Sequence, residues 1–311
     1  MTTPAQPGDV SHDPSLQVVM SERSQLIGVA YRLLGSVADA EDVVQETYAR
    51  WYAQTPEQRE AIEKPGAWLT KVASRICLDV LGSARVRREA YVGEWVPEPV
   101  PGGAEWANGR WGDTSVDPAD RVTLDESISM AFLVVLESMT PAERVSFILH
   151  DVFHYSFDEV AEVVGRSPAA CRQLASRARR HLASSDAPAP SIAERAEVVR
   201  DFKDAWAAQD IEALVALLDP DAVTVADGGG VVQALPAPVV GGEEIARRLV
   251  SFQTIASGRT LHEVVVNGQP GLVMRDEDVI VTVLAFDVQG GRITRIWAVR
   301  NPEKLRSWAT T

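Results

Sequence analysis

The sequence predicts a multidomain chain in which two all-α domains precede an α+β domain. Three observations lead there. Residues 16–88 and 122–183 carry apolar residues at helical spacing, and the stretch between them has no period at all. β-Branched runs bounded by glycine, asparagine and aspartate gather only in the last third. At 311 residues, with 46% hydrophobic and 24% charged, the chain has length for two or three folded domains and a globular composition.

Residues 1–15, MTTPAQPGDVSHDPS, read as a disordered polar tail without the basic-then-apolar pattern of a signal peptide. No apolar run is long enough to span a membrane, so a cytoplasmic protein with no membrane partner is expected. Residues 16–90 read as the first helical domain. In Ser36 to Trp51 a stripe of Ala40, Val43, Val44, Thr47, Tyr48 and Trp51 is suited to burial, leaving Asp39, Asp42 and Glu46 on another face. From Pro65 to Arg88, Trp68, Leu69, Val72, Ile76, Leu78 and Val80 read largely as core. Lys71, Arg75, Arg85, Arg87 and Arg88 make the far end basic, a charge pattern suited to phosphates. The place of Trp68 among core residues favours a structural role over a base-stacking platform.

Residues 91–120 change character: proline, glycine, acid and tryptophan dominate. They form a linker. A plain spacer has little use for Trp95, Trp106 and Trp111, so part of it is expected to dock on a surface. Residues 121–184 resume as helices and contain Ser156 to Leu182, SFDEVAEVVGRSPAACRQLASRARRHL. Ser156, Asp158 and Glu159 suit a helix start, Gly165 a turn, and Ser167 with Pro168 a second start. On that second helix Cys171, Leu174, Ala178 and Leu182 make the apolar stripe. Ala169, Arg172, Gln173, Ser176, Arg177 and Arg180 make a small, basic face that can enter a groove and read base edges. No acid occurs between Glu162 and Asp186, although the whole chain has a formal net charge of −14. That concentration of cations favours a helix-turn-helix over a merely solvated face.

Residues 185–191 read as a short proline-rich hinge, and 192–311 as the α+β domain. Two amphipathic helices carry Val198, Phe202, Ala205 and Trp206, then Ile211, Leu214, Leu217 and Leu218. A run of antiparallel strands follows, with Gly290 and Gly291 placed for a hairpin, giving a curved sheet around a helix. Cys77 and Cys171 both sit at apolar helical positions and read as reduced core thiols. Five scattered histidines make no cysteine–histidine cluster, so neither a metal nor a cofactor is expected.

DAEDVVQETYARWY (Asp39 to Tyr52), PGAWLTKVASRICLDVLGSARVRRE (Pro65 to Glu89) and the block from Thr140 to Arg180 together resemble an extracytoplasmic-function sigma factor of bacterial RNA polymerase. The first two are similar to its region 2, and the third to its region 4 helix-turn-helix. The tail resembles the cone-shaped SnoaL-like, or nuclear-transport-factor-2-like, fold, and the combination resembles the sigma J-like group. Signatures of that group match at YVGEWVPEP (Tyr91 to Pro99, with Tyr91, Trp95 and Pro97), DGGG (Asp227, Gly228, Gly229, Gly230) and NPEKL (Asn301, Pro302, Lys304, Leu305). Val231 departs from it, standing where lysine is expected.

The resemblance implies partners and roles. Core RNA polymerase, through its β′ clamp, would receive Asp39, Asp42, Gln45 and Glu46. Promoter DNA would be met at the −10 element by Lys71, Arg75, Arg85, Arg87 and Arg88, and at the −35 element by Ala169, Arg172, Gln173, Ser176, Arg177 and Arg180. The acidic linker would thread through the polymerase, which would supply most of the affinity for DNA that an acidic chain otherwise repels. DGGG and NPEKL would contact the linker or the sigma core and regulate it. Two alternatives stay open for the tail: a sensor binding a small ligand in its cavity, or a cyclase- or isomerase-like enzyme using Asp227 and His262. The second requires both side chains to converge on one pocket.

Overall fold

The computed structural model describes residues 14–89, 91–102, 104, 106, 126–182, 190–255 and 258–309. The expected tail up to residue 13, Trp111 with the rest of the linker from 107, and hinge residues 185–189 lie outside them.

Four helices make the first unit: α1 (Pro14–Leu34), α2 (Val37–Tyr52), α3 (Pro56–Glu60) and α4 (Pro65–Glu89). Gly35, at φ 70°, ends α1, and the Ser36 side chain accepts from Asp39 N to start α2. The second unit holds a 3₁₀ turn (Glu126–Ile128), α5 (Met130–Glu137), α6 (Pro141–Phe147), a π turn (Ile148–Val152), α7 (Phe157–Val164) and α8 (Pro168–Leu182). Capping boxes start α6 at Thr140/Glu143 and α7 at Ser156/Glu159, and Gly165 closes α7 in the left-handed region at φ 69°.

Two helical blocks that read separately along the sequence share one hydrophobic core. Leu26, Tyr31, Leu69 and Cys77 of the first cluster with Leu133, Phe147, Ile148 and Val160 of the second. Buried polar groups cross the same boundary. Arg32 Nε donates to Ser127 Oγ at 2.7 Å, and Arg144 Nη1 to Leu33 O at 2.9 Å and Glu137 Oε1 at 2.8 Å. Burial pulls the Arg144 pKa down to about 10.

The third unit comprises α9 (Ile192–Ala207), α10 (Ile211–Leu217), β1 (Leu218–Asp227), β2 (Val239–Val240), α11 (Gly242–Ile255), β3 (Thr260–Val266), β4 (Gln269–Asp276), β5 (Val279–Gln289), β6 (Arg292–Val299) and a 3₁₀ turn (Pro302–Trp308). Its sheet runs β2-β1-β6-β5-β4-β3. The expectation of antiparallel strands throughout needs correcting at one ladder: β1 and β6 are parallel, with Thr224 opposite Ile296. A helix and four strands separate the two along the chain, so no hairpin dictates their direction. Helix α11 is also absent from the sequence reading, although Glu243–Arg247 and Glu244–Arg248 pair along it at i, i+4. Gly290 and Gly291, at φ 56° and 77°, form the expected tight turn between β5 and β6.

Strand alternation gives the sheet two covered faces. Leu272, Met274, Leu284, Phe286 and Ile296 pack on Phe202, Trp206, Leu214 and Ile245 of the domain's own helices. Val273, Val283, Ala285, Trp297 and Val299 pack on Val96 of the linker, Met130 of α5, and Leu305 and Trp308. The second face is therefore closed by other parts of the chain.

Candidate nucleic-acid interface and interdomain clamp

Helix α8 buries Cys171, Leu174, Ala175 and Ala178 and leaves Ala169, Arg172, Gln173, Ser176, Arg177 and Arg180 exposed. The division follows from helical periodicity, because the buried positions recur every three to four residues. Arg179, between two of the exposed cations, is held by Asp151 at 2.6 Å. Arg172 lies over the Phe157 ring at 5.4 Å, which orients its guanidinium at the start of the helix.

On α2, Asp42, Gln45 and Glu46 are exposed and Asp39 is half-buried. Glu46 pairs with Arg50 at 2.9 Å one turn on. On α4, Trp68 packs edge-on against Trp51 at 5.3 Å. Lys71 and Arg75 are not free cations. Lys71 Nζ pairs with the Glu162 carboxylate of α7, and Arg75 Nη2 donates to Glu162 O at 2.7 Å. The Lys71 partner holds the Glu162 carboxyl below its ordinary pKa. Arg85, Arg87 and Arg88 lie on the last turns of α4, and their side chains are outside the described residues.

The linker from Tyr91 to Gly102 is extended and docks, with Asp227 at the centre of its first half. The Tyr91 hydroxyl donates to Asp227 Oδ1 at 2.6 Å, Gly229 N to the same oxygen at 2.9 Å, and Val96 N to Oδ2 at 3.1 Å. Lys304 Nζ reaches Oδ2 at 2.7 Å and also donates to Val96 O. Burial first, then the Asp227 carboxylate, pushes the Tyr91 phenol up, so it remains a donor. Asn301 Nδ2 donates to the Tyr91 hydroxyl at 2.9 Å, and the Lys304 ammonium lies 4.3 Å from the centre of the Trp95 ring.

The glycines allow this approach. A Cβ on Gly229 would lie 2.5 Å from the Asn301 amide, and one on Gly230 would lie 2.8 Å from Val92. Leu305 is buried in the adjoining apolar cluster, whereas Pro302 and Val231 are exposed. A lysine at 231 would therefore stand in solvent beside the clamp.

The linker's second half reaches both helical units. Trp95 and Pro97 pack at Gly35, Glu98 N donates to Gly35 O at 2.8 Å, and Glu98 Oε2 accepts from Val37 N at 2.8 Å. Asn267, absent from the sequence reading, joins all three units. Its Nδ2 donates to the Tyr31 hydroxyl at 2.7 Å and Ile128 O at 2.8 Å, and its Oδ1 accepts from Val100 N at 2.9 Å. Asn267–Gly268 is the turn between β3 and β4, with φ of 51° and 71°, so the only sequence signal was that of an Asn-Gly turn.

Asp227 and His262 do not converge, which removes the catalytic pair considered above. Four donors occupy the Asp227 carboxylate, whose side chain is wholly buried, leaving it no lone pair for a substrate proton. His262 is exposed on β3 and hydrogen-bonded to Thr260 Oγ1. Four strand spacings separate β1 from β3, roughly 19 Å along the sheet. Among the described residues no group of histidine, cysteine and carboxylate could hold a metal, and both cysteines are free and buried. No described helix is long and apolar enough to cross a membrane.

Residues 18–88 match the family Sigma-70 region 2, and residues 129–182 match Sigma-70, region 4. The chain is 38% identical over 295 residues to the ECF RNA polymerase sigma factor SigJ of Mycobacterium tuberculosis H37Rv, covering 91% of this chain and 90% of that one. It belongs to the extracytoplasmic-function sigma factors. Another relative, the probable ECF RNA polymerase sigma factor SigI of M. tuberculosis CDC 1551, is 34% identical with 94% and 96% covered. The crystal structure of M. tuberculosis SigJ superposes with a TM-score of 0.70 at 34% identity, covering 94% of this chain and 98% of that chain. The match to that sigma factor spans the α+β domain as well as regions 2 and 4, so the clamp joins parts of one extended sigma architecture. A sigma factor directs promoter-specific initiation by core RNA polymerase, so the polymerase and promoter DNA are the partners against which these surfaces are judged.

Proposed function

We propose that this sigma factor rests in a closed state, latched by its linker and C-terminal domain, and opens when core polymerase takes up the α2 face. In that reading Asp39, Asp42, Gln45 and Glu46 meet the β′ clamp, and the exposed face of α8 reads the −35 element. Lys71 and Arg75, with Arg85, Arg87 and Arg88, serve the −10 element. The observation that carries the closed state is Glu162: it engages Lys71 and Arg75, so the first helix of the helix-turn-helix pairs with cations assigned to the other promoter element. Both elements can be read together only after α4 and α7 part.

The C-terminal domain acts as a tethered clamp. Its contacts through Asp227, Asn301 and Lys304 operate at the high effective concentration of a fused partner. Occupied lone pairs on Asp227 and the distance to His262 support regulation rather than turnover. Transcription reconstituted from purified core polymerase and a cognate promoter tests the reading. The full chain is expected to give a defined start site, and Glu162→Ala to need less protein for half-maximal initiation. No promoter-specific transcript, or a Glu162→Ala requirement equal to that of the unaltered chain, would refute it.

A further inference from the structure

Three irregularities meet just before α7. The π turn closes with Phe153 N donating to Ile148 O at 3.1 Å, a wide turn of the kind that recurs at functional sites. His154 follows at φ 59°, in the left-handed region that a residue other than glycine enters at a cost. Beyond this reversal, Tyr155 O accepts from His150 Nδ1 at 2.8 Å. A carbonyl can only accept, so Nδ1 carries the proton and the imidazole is held in one orientation.

That imidazole stacks on Phe157, the first residue of α7, with ring centres 3.8 Å apart and planes inclined at 27°. Phe157 is half-buried, and the exposed Arg172 guanidinium of α8 lies over it, 5.4 Å from the ring centre. Among the described residues Arg172 makes no ion pair, whereas Arg179 is held by Asp151. The difference matters for reading DNA. A carboxylate occupies the fork of N–H donors that a guanine edge needs, while a ring attracts the cation as a whole and leaves the fork available.

We propose that Phe157 is a positioning residue for −35 recognition: it holds Arg172 ready for a bidentate contact with a base edge, and His150 in turn holds Phe157. A side chain already confined loses less freedom on binding, so the contact discriminates better between bases. The inference rests on the assignment of Arg172 to the −35 element, and Phe157 acts through Arg172.

Holoenzyme containing the full chain, titrated onto promoters substituted singly at each −35 position, tests it. Arg172→Ala flattens the preference at one position and so marks where that side chain reads. Phe157→Leu is expected to lower the preference at the same position about twofold to fivefold, the worth of an exposed cation–ring contact, and to spare the others. Phe157→Tyr, which keeps the ring, retains the preference, and Phe157→Leu added to Arg172→Ala loses nothing further. His150→Leu, which leaves α7 unaltered, gives a smaller loss at that position. In the free, unaltered chain the Arg172 Nε–H resonance is expected upfield, shifted by the ring current. An unshifted resonance, an unchanged preference in Phe157→Leu, or equal losses at every −35 position overturns the positioning role and leaves Arg172 as the reader. No position flattened by Arg172→Ala overturns the assignment of Arg172, and the positioning role with it.

Discussion

Lys304 Nζ and Asp227 Oδ2 lie 2.7 Å apart, with 10% and 0% of their side chains exposed, where the linker crosses the C-terminal domain. Removing one member of such a pair leaves an uncompensated charge, which costs about 3–5 kcal/mol. Lys304→Met is therefore expected to weaken linker docking by that order, and Asp227→Asn added to it to restore part of the loss. Hydrogen exchange at the Val96 amide reads the docking directly. Undiminished protection in Lys304→Met would show that the pair contributes nothing.

Glu98 sets a pH dependence. Burial holds its carboxyl above the ordinary 4.5, against the lowering effects of the Val37 amide and Lys304. The folded chain then binds more protons than the unfolded one between 4.5 and the raised value, so this group's contribution to stability falls as pH rises through that window. Glu98→Gln keeps an acceptor for Val37 N and carries no charge. Denaturation curves of the variant should lose this decline, and a slope parallel to the unaltered chain would contradict it.

Asn267 is expected to behave as a keystone rather than a turn residue. Asn267→Gly keeps the positive φ but leaves Val100 N, Ile128 O and the Tyr31 hydroxyl without this partner. Each unsatisfied buried group costs roughly 1–3 kcal/mol. Protection should fall at both Val100 and Gly102, whose amide donates to Val265 O at 2.9 Å. Loss confined to the turn itself would deny the coupling.

On α8, Arg172→Ala or Arg177→Ala should cost roughly 1–3 kcal/mol at cognate −35 sequence if the side chain contacts a base. Arg179→Ala, which removes the Asp151 pair, should leave base preference unchanged. Binding of holoenzyme to promoters mutated at single −35 positions distinguishes the two outcomes. Equal losses for all three residues would mean that α8 contributes charge alone.

Much of this organisation was legible in sequence because its signals are local. The Ser156 box, the Gly165 turn and the two faces of α8 depend on residues within a turn or two of each other. So do the β5–β6 turn and most of the strands. The docking of YVGEWVPEP was legible for another reason: a plain spacer has little use for tryptophans such as Trp95, and the resemblance implied that DGGG and NPEKL contact the linker or the sigma core. What escaped depends on distant packing. The parallel β1–β6 ladder, the core shared by α1 and α6, and the Glu162 latch join residues far apart in sequence, and no periodicity records them. Asn267 was hidden by its own turn chemistry, which accounts for an asparagine before glycine without any long-range bond. Helix α11 was within reach, since its i, i+4 pairs are local.

The central claim is that α4 and α7 are latched in the free chain and part in the holoenzyme. Cysteines introduced at Ser83 on α4 and His181 on α8, both exposed, can carry a donor and acceptor dye while Cys77 and Cys171 stay buried and unlabelled. Single-molecule energy transfer on the full chain, alone and bound to core polymerase, measures their separation. The account predicts a short distance alone, a long one in the holoenzyme, and an intermediate population for free Lys304→Met. The same short distance in the holoenzyme, or a long one in the free chain, would contradict it.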